Sequence, residues 1–120
     1  MTKNIHVIDD DESIQDAFNV LLTTAGYKVR TSSDANYLQK LPKKKLPDLI
    51  LLDVLLSGSD GREICKKLKS RKVTHHVPII MVSANMSAGN SFKEYGADDY
   101  IEKPFEMDEL LDKIKKYTKE

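Results

Sequence analysis

A chain of 120 residues has room for one ordinary domain that can bury its own core without disulfide or metal staples. With 40% hydrophobic and 32% charged residues it has the composition of a folding chain rather than a disordered one, and its 19 basic and 19 acidic side chains cancel, so no global field draws it to nucleic acid or anionic lipid. One cysteine excludes an internal disulfide, no apolar run approaches bilayer length, and the N-terminus enters a strand pattern without a signal-type stretch; a cytoplasmic protein without membrane association is expected.

From end to end, short apolar runs alternate with amphipathic helical segments. Ile5 to Ile8 reads as a first strand, stopped by Asp9-Asp10-Asp11. A helix then places Ile14, Ala17, Phe18, Leu21, Leu22 and Ala25 on one stripe, with Asp11 and Glu12 suited to its start and Gly26 to its end. Tyr27 to Thr31 alternates as a second strand. Ser33 or Asp34 can cap a second helix running through Leu38 and Leu41 and stopping before Pro42. The Lys43-Lys44-Lys45 run beyond it reads as a solvated loop, because no aromatics interleave the three charges.

Leu49 to Leu52 is continuous apolar sequence, the mark of a central strand covered on both faces, and Asp53 ends it. A turn over 57–61 leads into a third helix carrying Ile64, Cys65 and Leu68, where Cys65 is a small buried hydrophobe. His75 and His76 sit in a loop and, being adjacent, point apart; His6, inside the first strand, reads as packed rather than as a ligand. Pro78 opens a fourth strand, Ile79 to Val82. A short fourth helix with Ala88, Phe92 and Tyr95 ends at Gly96, Tyr100-Ile101 forms a fifth strand, and a last helix carries Met107, Leu110, Leu111, Ile114 and Tyr117. Five strand-then-helix units with short connections predict an α/β, doubly wound parallel sheet with helices on both faces, in a single domain spanning 1–120.

In such a sheet, chemistry gathers outside the carboxyl ends of the strands. Those ends hold Asp9 and Asp10, Asp53, Ser83 and Lys103. Three crowded carboxylates repel one another, and a hard divalent cation such as Mg²⁺, which takes oxygen ligands, relieves that repulsion. A carboxylate can act as a covalent nucleophile toward phosphorus, giving an acyl phosphate. A lysine then supplies fixed positive charge, and a serine hydroxyl can donate to a phosphoryl oxygen. Each residue alone has an ordinary structural reading as a cap, turn or solvated side chain. Their joint occurrence at separate strand ends does not.

These residues resemble the receiver domains of two-component response regulators over essentially the whole chain. The resemblance is carried by residues 7–11, 48–53, Asp60-Gly61, residues 79–84 and residues 96–105. It implies that Asp53 is the phosphoacceptor, that Asp9 and Asp10 hold Mg²⁺ with Asp53 and the backbone carbonyl of Leu55, and that Lys103 pairs with the phosphate. Ser83 is implied as the switch hydroxyl and Tyr100 as the aromatic switch residue. It further implies a flavodoxin-like strand order of 2-1-3-4-5, a cis bond between Lys103 and Pro104, and a phosphohistidine donor on a sensor histidine kinase or phosphotransfer protein. The implied role is that of a phosphoacceptor signalling domain in a phosphorelay, not an enzyme with an external substrate. It would act through a downstream protein partner that the sequence does not name, without direct contact to nucleic acid.

The sequence departs from the family pattern in places. Ser57 stands where proline is usual, the stretch from Ser83 to Gly96 is about two residues short, and Gly89-Asn90 are poor helix formers, so an irregular fourth helix is expected. No output domain follows within the 120 residues. An aspartyl-nucleophile phosphatase would need an acid two residues after the nucleophile, where Leu55 stands. A nucleotide or flavin binder would have a glycine-rich first turn in place of Asp-Asp-Asp-Glu. A receiver-like interaction module that is never phosphorylated is the remaining alternative, and the complete set of strand-end residues counts against it.

Overall fold

A computed structural model of the chain describes residues 2–56, 59–84 and 92–119. Five parallel strands form one sheet: β1 (Asn4–Ile8), β2 (Lys28–Ser32), β3 (Leu49–Asp53), β4 (Ile79–Ser83) and β5 (Asp99–Glu102). Their order across the sheet is β2-β1-β3-β4-β5, with the flavodoxin-like reversal beside β1. Helix α1 (Glu12–Thr24) and the C-terminal helix (Met107–Thr118) cover one face; α2 (Asn36–Gln39) and α3 (Gly61–Ser70) lie on the other.

The continuous apolar runs of β3 and β4 are explained by this two-sided cover. Ile50, Leu52, Ile79 and Met81 pack against Leu38, Cys65 and Leu68, whereas Leu49, Leu51, Ile80 and Val82 pack against Phe18, Leu22, Leu110 and Ile114. Truncating a fully buried leucine of β3 to alanine costs about 2–5 kcal/mol, so the strand that ends in Asp53 is firmly held. Cys65 is buried as expected, and burial pushes its thiol up to about 11, so it is inert. One polar tie reinforces the far end of the sheet. Lys69 Nζ donates to Asp98 Oδ2 at 2.8 Å and to the Val77 carbonyl at 2.8 Å, joining α3 to the approaches of β4 and β5.

Helix α1 starts as its sequence implies, with Asp11 Oδ1 accepting from the Ser13 and Ile14 amides. It ends ahead of Gly26, whose φ of +102° is open to glycine without strain. Its buried stripe is narrower than the periodicity predicts: Phe18 and Leu22 are buried, but Ala17, Leu21 and Ala25 are exposed. The second helix is also shorter than expected, one turn from Asn36 rather than a run from Ser33 or Asp34 to Leu41. Local side-chain bonding competes with the helix here, since Ser32 Oγ donates to the Asp34 carbonyl and Asp34 Oδ1 accepts from the Asn36 amide. The lysine run forms a single 3₁₀ turn, Lys43–Lys45, and His75 and His76 lie exposed in a loop. Of the fourth helical connection, Phe92–Tyr95 is a 3₁₀ turn; Ala88 and Gly89-Asn90 lie outside the described residues, as do Ser57 and Gly58. The Lys103–Pro104 bond is cis.

His6 is 2% exposed and its Nε2 lies 2.8 Å from Ser32 Oγ. Because that hydroxyl donates to the Asp34 carbonyl, Nε2 of the ring donates to the hydroxyl oxygen. Burial, aided by the Arg30 charge, lowers its pKa from 6.5 to about 4. The unfolded chain therefore binds a proton below pH 6.5 that the folded chain refuses, and stability falls from pH 6.5 down to about 4. We expect His6→Gln to remove a loss of about 3 kcal/mol from that interval in urea unfolding curves. Parallel pH profiles for the two proteins would contradict a buried neutral histidine.

Candidate functional site

The sheet order sets the site. β1 and β3 are neighbours at the reversal, Ile8 pairing with Leu52, so the residues that follow them emerge side by side. Oxygens of Asp9, Asp10 and Asp53 lie within 4.8 Å of one another. Asp9 is the buried member, 2% exposed, and is held on several sides. Its amide donates to the Ser32 carbonyl at 3.0 Å, its Oδ1 accepts from the Asp11 amide at 3.0 Å, and its carbonyl accepts from Gln15 Nε2. Asp10 and Asp53 are half-buried and complete the acidic edge.

On the other side of β3, Asp53 pairs with Val82, and the Val54 amide donates to the Val82 carbonyl at 3.1 Å. Ser83, the next residue of β4, is 1% exposed at the same edge. Its carbonyl accepts from the Lys103 amide at 2.9 Å, which fixes the start of the loop that carries the lysine. Lys103 Nζ reaches back across the edge to 3.6 Å from Asp9 Oδ2. The residues singled out from the sequence thus share one end of the sheet, and the register explains how.

Two unit charges 4.8 Å apart repel by about 3–4 kcal/mol at an effective dielectric of about 20, and the Lys103 ammonium, 3.6 Å from Asp9, opposes that repulsion. The donors are all hard carboxylate oxygens, one enclosed and two on the open side. That set suits a small divalent cation that keeps some of its waters, and it lacks the nitrogen and sulfur ligands of a zinc site.

Tyr100 lies on β5, paired with Met81. Its ring stacks on Phe92, with centroids 6.2 Å apart and planes at 16°, and its buried hydroxyl has no hydrogen-bond partner among the described residues. Desolvation, then the Glu102 charge, raises its pKa, so the phenol stays protonated.

Sequence reasoning did not assign roles to three nearby residues. Gln15 ties α1 to the Asp9 carbonyl, and nothing in its position along the chain marks it. Asp60 caps α3 through the Arg62 amide and pairs with the Arg62 guanidinium, whose hydrogen bond holds the carboxyl below its ordinary range. Gly61, whose amide donates to the Val54 carbonyl at 2.7 Å, sits against the acceptor strand itself: a Cβ there would fall 2.2 Å from the Asp53 carbonyl oxygen and 2.7 Å from Val54 Cα. The loop after Asp53 can fold back only because position 61 has no side chain.

Residues 5–115 match a family model described as the response regulator receiver domain. Among solved structures, one assigned as a response regulator from Chloroflexus aurantiacus is 33% identical over the whole of both chains, with a TM-score of 0.90. The receiver domain of NtrX from Brucella abortus is 31% identical, with 96% of this chain and 98% of that one covered and a TM-score of 0.84. The receiver domain of a sensor histidine kinase from Pseudomonas aeruginosa, solved with a magnesium ion coordinated in its active-site cleft, shares the fold at 24% identity over both full chains, with a TM-score of 0.86.

The Gly61 contact gives a direct test of how tightly the acceptor loop is packed. Gly61→Ala should lower stability by about 2–3 kcal/mol, because the methyl group meets backbone that cannot rotate away. An unchanged urea midpoint would mean that the loop has room the structure does not show.

Proposed function

The chain belongs to the response regulator receiver domain family of two-component signalling, and on that premise we propose that Asp53 accepts a phosphoryl group from a phosphohistidine donor. The observation that carries this reading is the convergence of Asp9, Asp10 and Asp53 within 4.8 Å, with Lys103 Nζ at 3.6 Å from Asp9. A carboxylate oxygen of Asp53 attacks phosphorus, the phosphorus–nitrogen bond of the donor breaks, and the imidazole leaves with the bonding pair. Magnesium held by Asp9, Asp10, Asp53 and the Leu55 carbonyl would supply the positive charge that offsets the carboxylates and the transferring oxygens. Lys103 stabilises the same oxygens from the opposite side, while Asp9, fixed by its three backbone contacts, keeps the acidic edge in place.

The donor is a sensor histidine kinase or a phosphotransfer protein, and the output is a changed protein-binding surface rather than turnover of an external substrate. Phosphorylation adds about −1.5 to −2 charge and new acceptor oxygens beside Ser83. The Ser83 hydroxyl moves to donate to them, and Tyr100 takes up the volume it leaves. Phe92, stacked on that ring, passes the shift to the Phe92–Tyr95 turn. A few kcal/mol of preference for one packing suffices to move such an equilibrium.

Incubation with acetyl phosphate and Mg²⁺ should add one phosphoryl mass to the wild-type chain and none to Asp53→Asn; equal labelling of both would reject Asp53 as the acceptor. Ser83→Ala should still take up the group, yet its amide resonances over 92–102 should stay in place. Wild-type-like shifts in that variant would show that the serine does not relay the change.

A further inference from the structure

A second concave site lies away from the acidic edge, along the β1–β2 margin of the sheet. Because α2 is a single turn, it leaves this margin open, and a cleft of about 770 Å³ lies there between β2 and the loop that carries Lys45. In the sheet register Asn4 pairs with Lys28 and His6 with Arg30, so a polar group of four occupies a sheet margin. Further in, the face that His6 shares with Ile8 carries Ile50, Leu52 and Met81.

The cleft is predominantly basic. Lys28, Arg30 and Lys45 line it, and the one carboxylate that the described residues place against its lining, Asp48, accepts from the Asn4 amide at 2.7 Å. Its arginine is also held in place: the Arg30 guanidinium lies 5.2 Å over the Tyr37 ring, and that ring stacks on buried His6 at 5.7 Å. A neutral histidine, an aromatic ring and a guanidinium follow one another outward from the sheet. The arginine therefore loses less freedom on binding than a free surface arginine would, and its planar fork matches phosphate oxygens. A solvated basic loop explains Lys45 alone but not an arginine stacked over Tyr37 beside a basic cleft of ligand size.

We propose that this cleft binds a small organic phosphate, its phosphoryl oxygens held by Arg30, Lys28 and Lys45 and its carbon skeleton against Tyr27 and Leu41. The proposal does not rest on phosphoryl transfer at Asp53, because the two sites lie on different parts of the sheet.

The test is ¹⁵N chemical-shift titration of the full chain without Mg²⁺, using ribose 5-phosphate, inorganic phosphate and ribose as separate probes. Ribose 5-phosphate should shift the amides of 28–30, 37 and 45 with a Kd of about 1 mM or tighter, and ribose should not. Inorganic phosphate shifting the same amides as strongly would overturn the contact with the carbon skeleton, and with it the proposal of an organic ligand. Arg30→Gln, and independently Lys45→Gln from the opposite wall, should each weaken the binding by about tenfold, with urea midpoints showing that both variants fold. No shift at these amides with either phosphate at about 10 mM, or shifts that survive both substitutions, would overturn the proposal. Neither result bears on labelling of Asp53.

Discussion

The structure depends at its working edge on an electrostatic conflict that the fold itself creates. A parallel sheet with β1 beside β3 delivers Asp9, Asp10 and Asp53 to one place, within 4.8 Å, with the Lys103 ammonium 3.6 Å from Asp9. A fold selected only for stability would place apolar or neutral groups there. Such a cluster is costly unless a cation shares the site, and its set of carboxylate oxygens suits a hard divalent ion.

Rigid packing holds that conflict in position. β3 and β4 are buried on both faces, so the backbone leading to Asp53 and Ser83 has little freedom to spread the charges apart. Gly61 lets the following loop lie directly on the Asp53 carbonyl, and Lys69 clamps the opposite end of β4 and β5 through Asp98. At the sheet's outer edge Tyr100 stacks on Phe92, and its buried hydroxyl has no hydrogen-bond partner among the described residues.

The sequence made most of the sheet and of the acidic site legible because both rest on short-range patterns. Uninterrupted runs such as Leu49 to Leu52 leave little alternative to a central strand, and an acid at the end of such a run can be found by reading alone. What was not legible depends on contacts between distant segments. The second helix is one turn rather than the longer run its spacing predicts, because Ser32 and Asp34 bond their own neighbours in place of a helix cap. The α1 stripe was drawn too wide, since periodicity cannot tell Phe18, which meets the sheet, from Leu21, which lies beside Phe105 at the surface. Gln15 and the His6–Tyr37–Arg30 stack join elements that only the finished fold brings together.

The carboxylate conflict can be measured without any phosphoryl donor, by following the urea midpoint of wild type and Asp10→Asn across a Mg²⁺ titration. Relief of repulsion predicts that Asp10→Asn is the more stable protein without Mg²⁺. Wild type should gain about 2–3 kcal/mol when Mg²⁺ is about a hundredfold above its Kd, while the variant gains much less. Midpoints that ignore Mg²⁺ in both proteins, with Asp10→Asn no more stable than wild type, would contradict the account at its root.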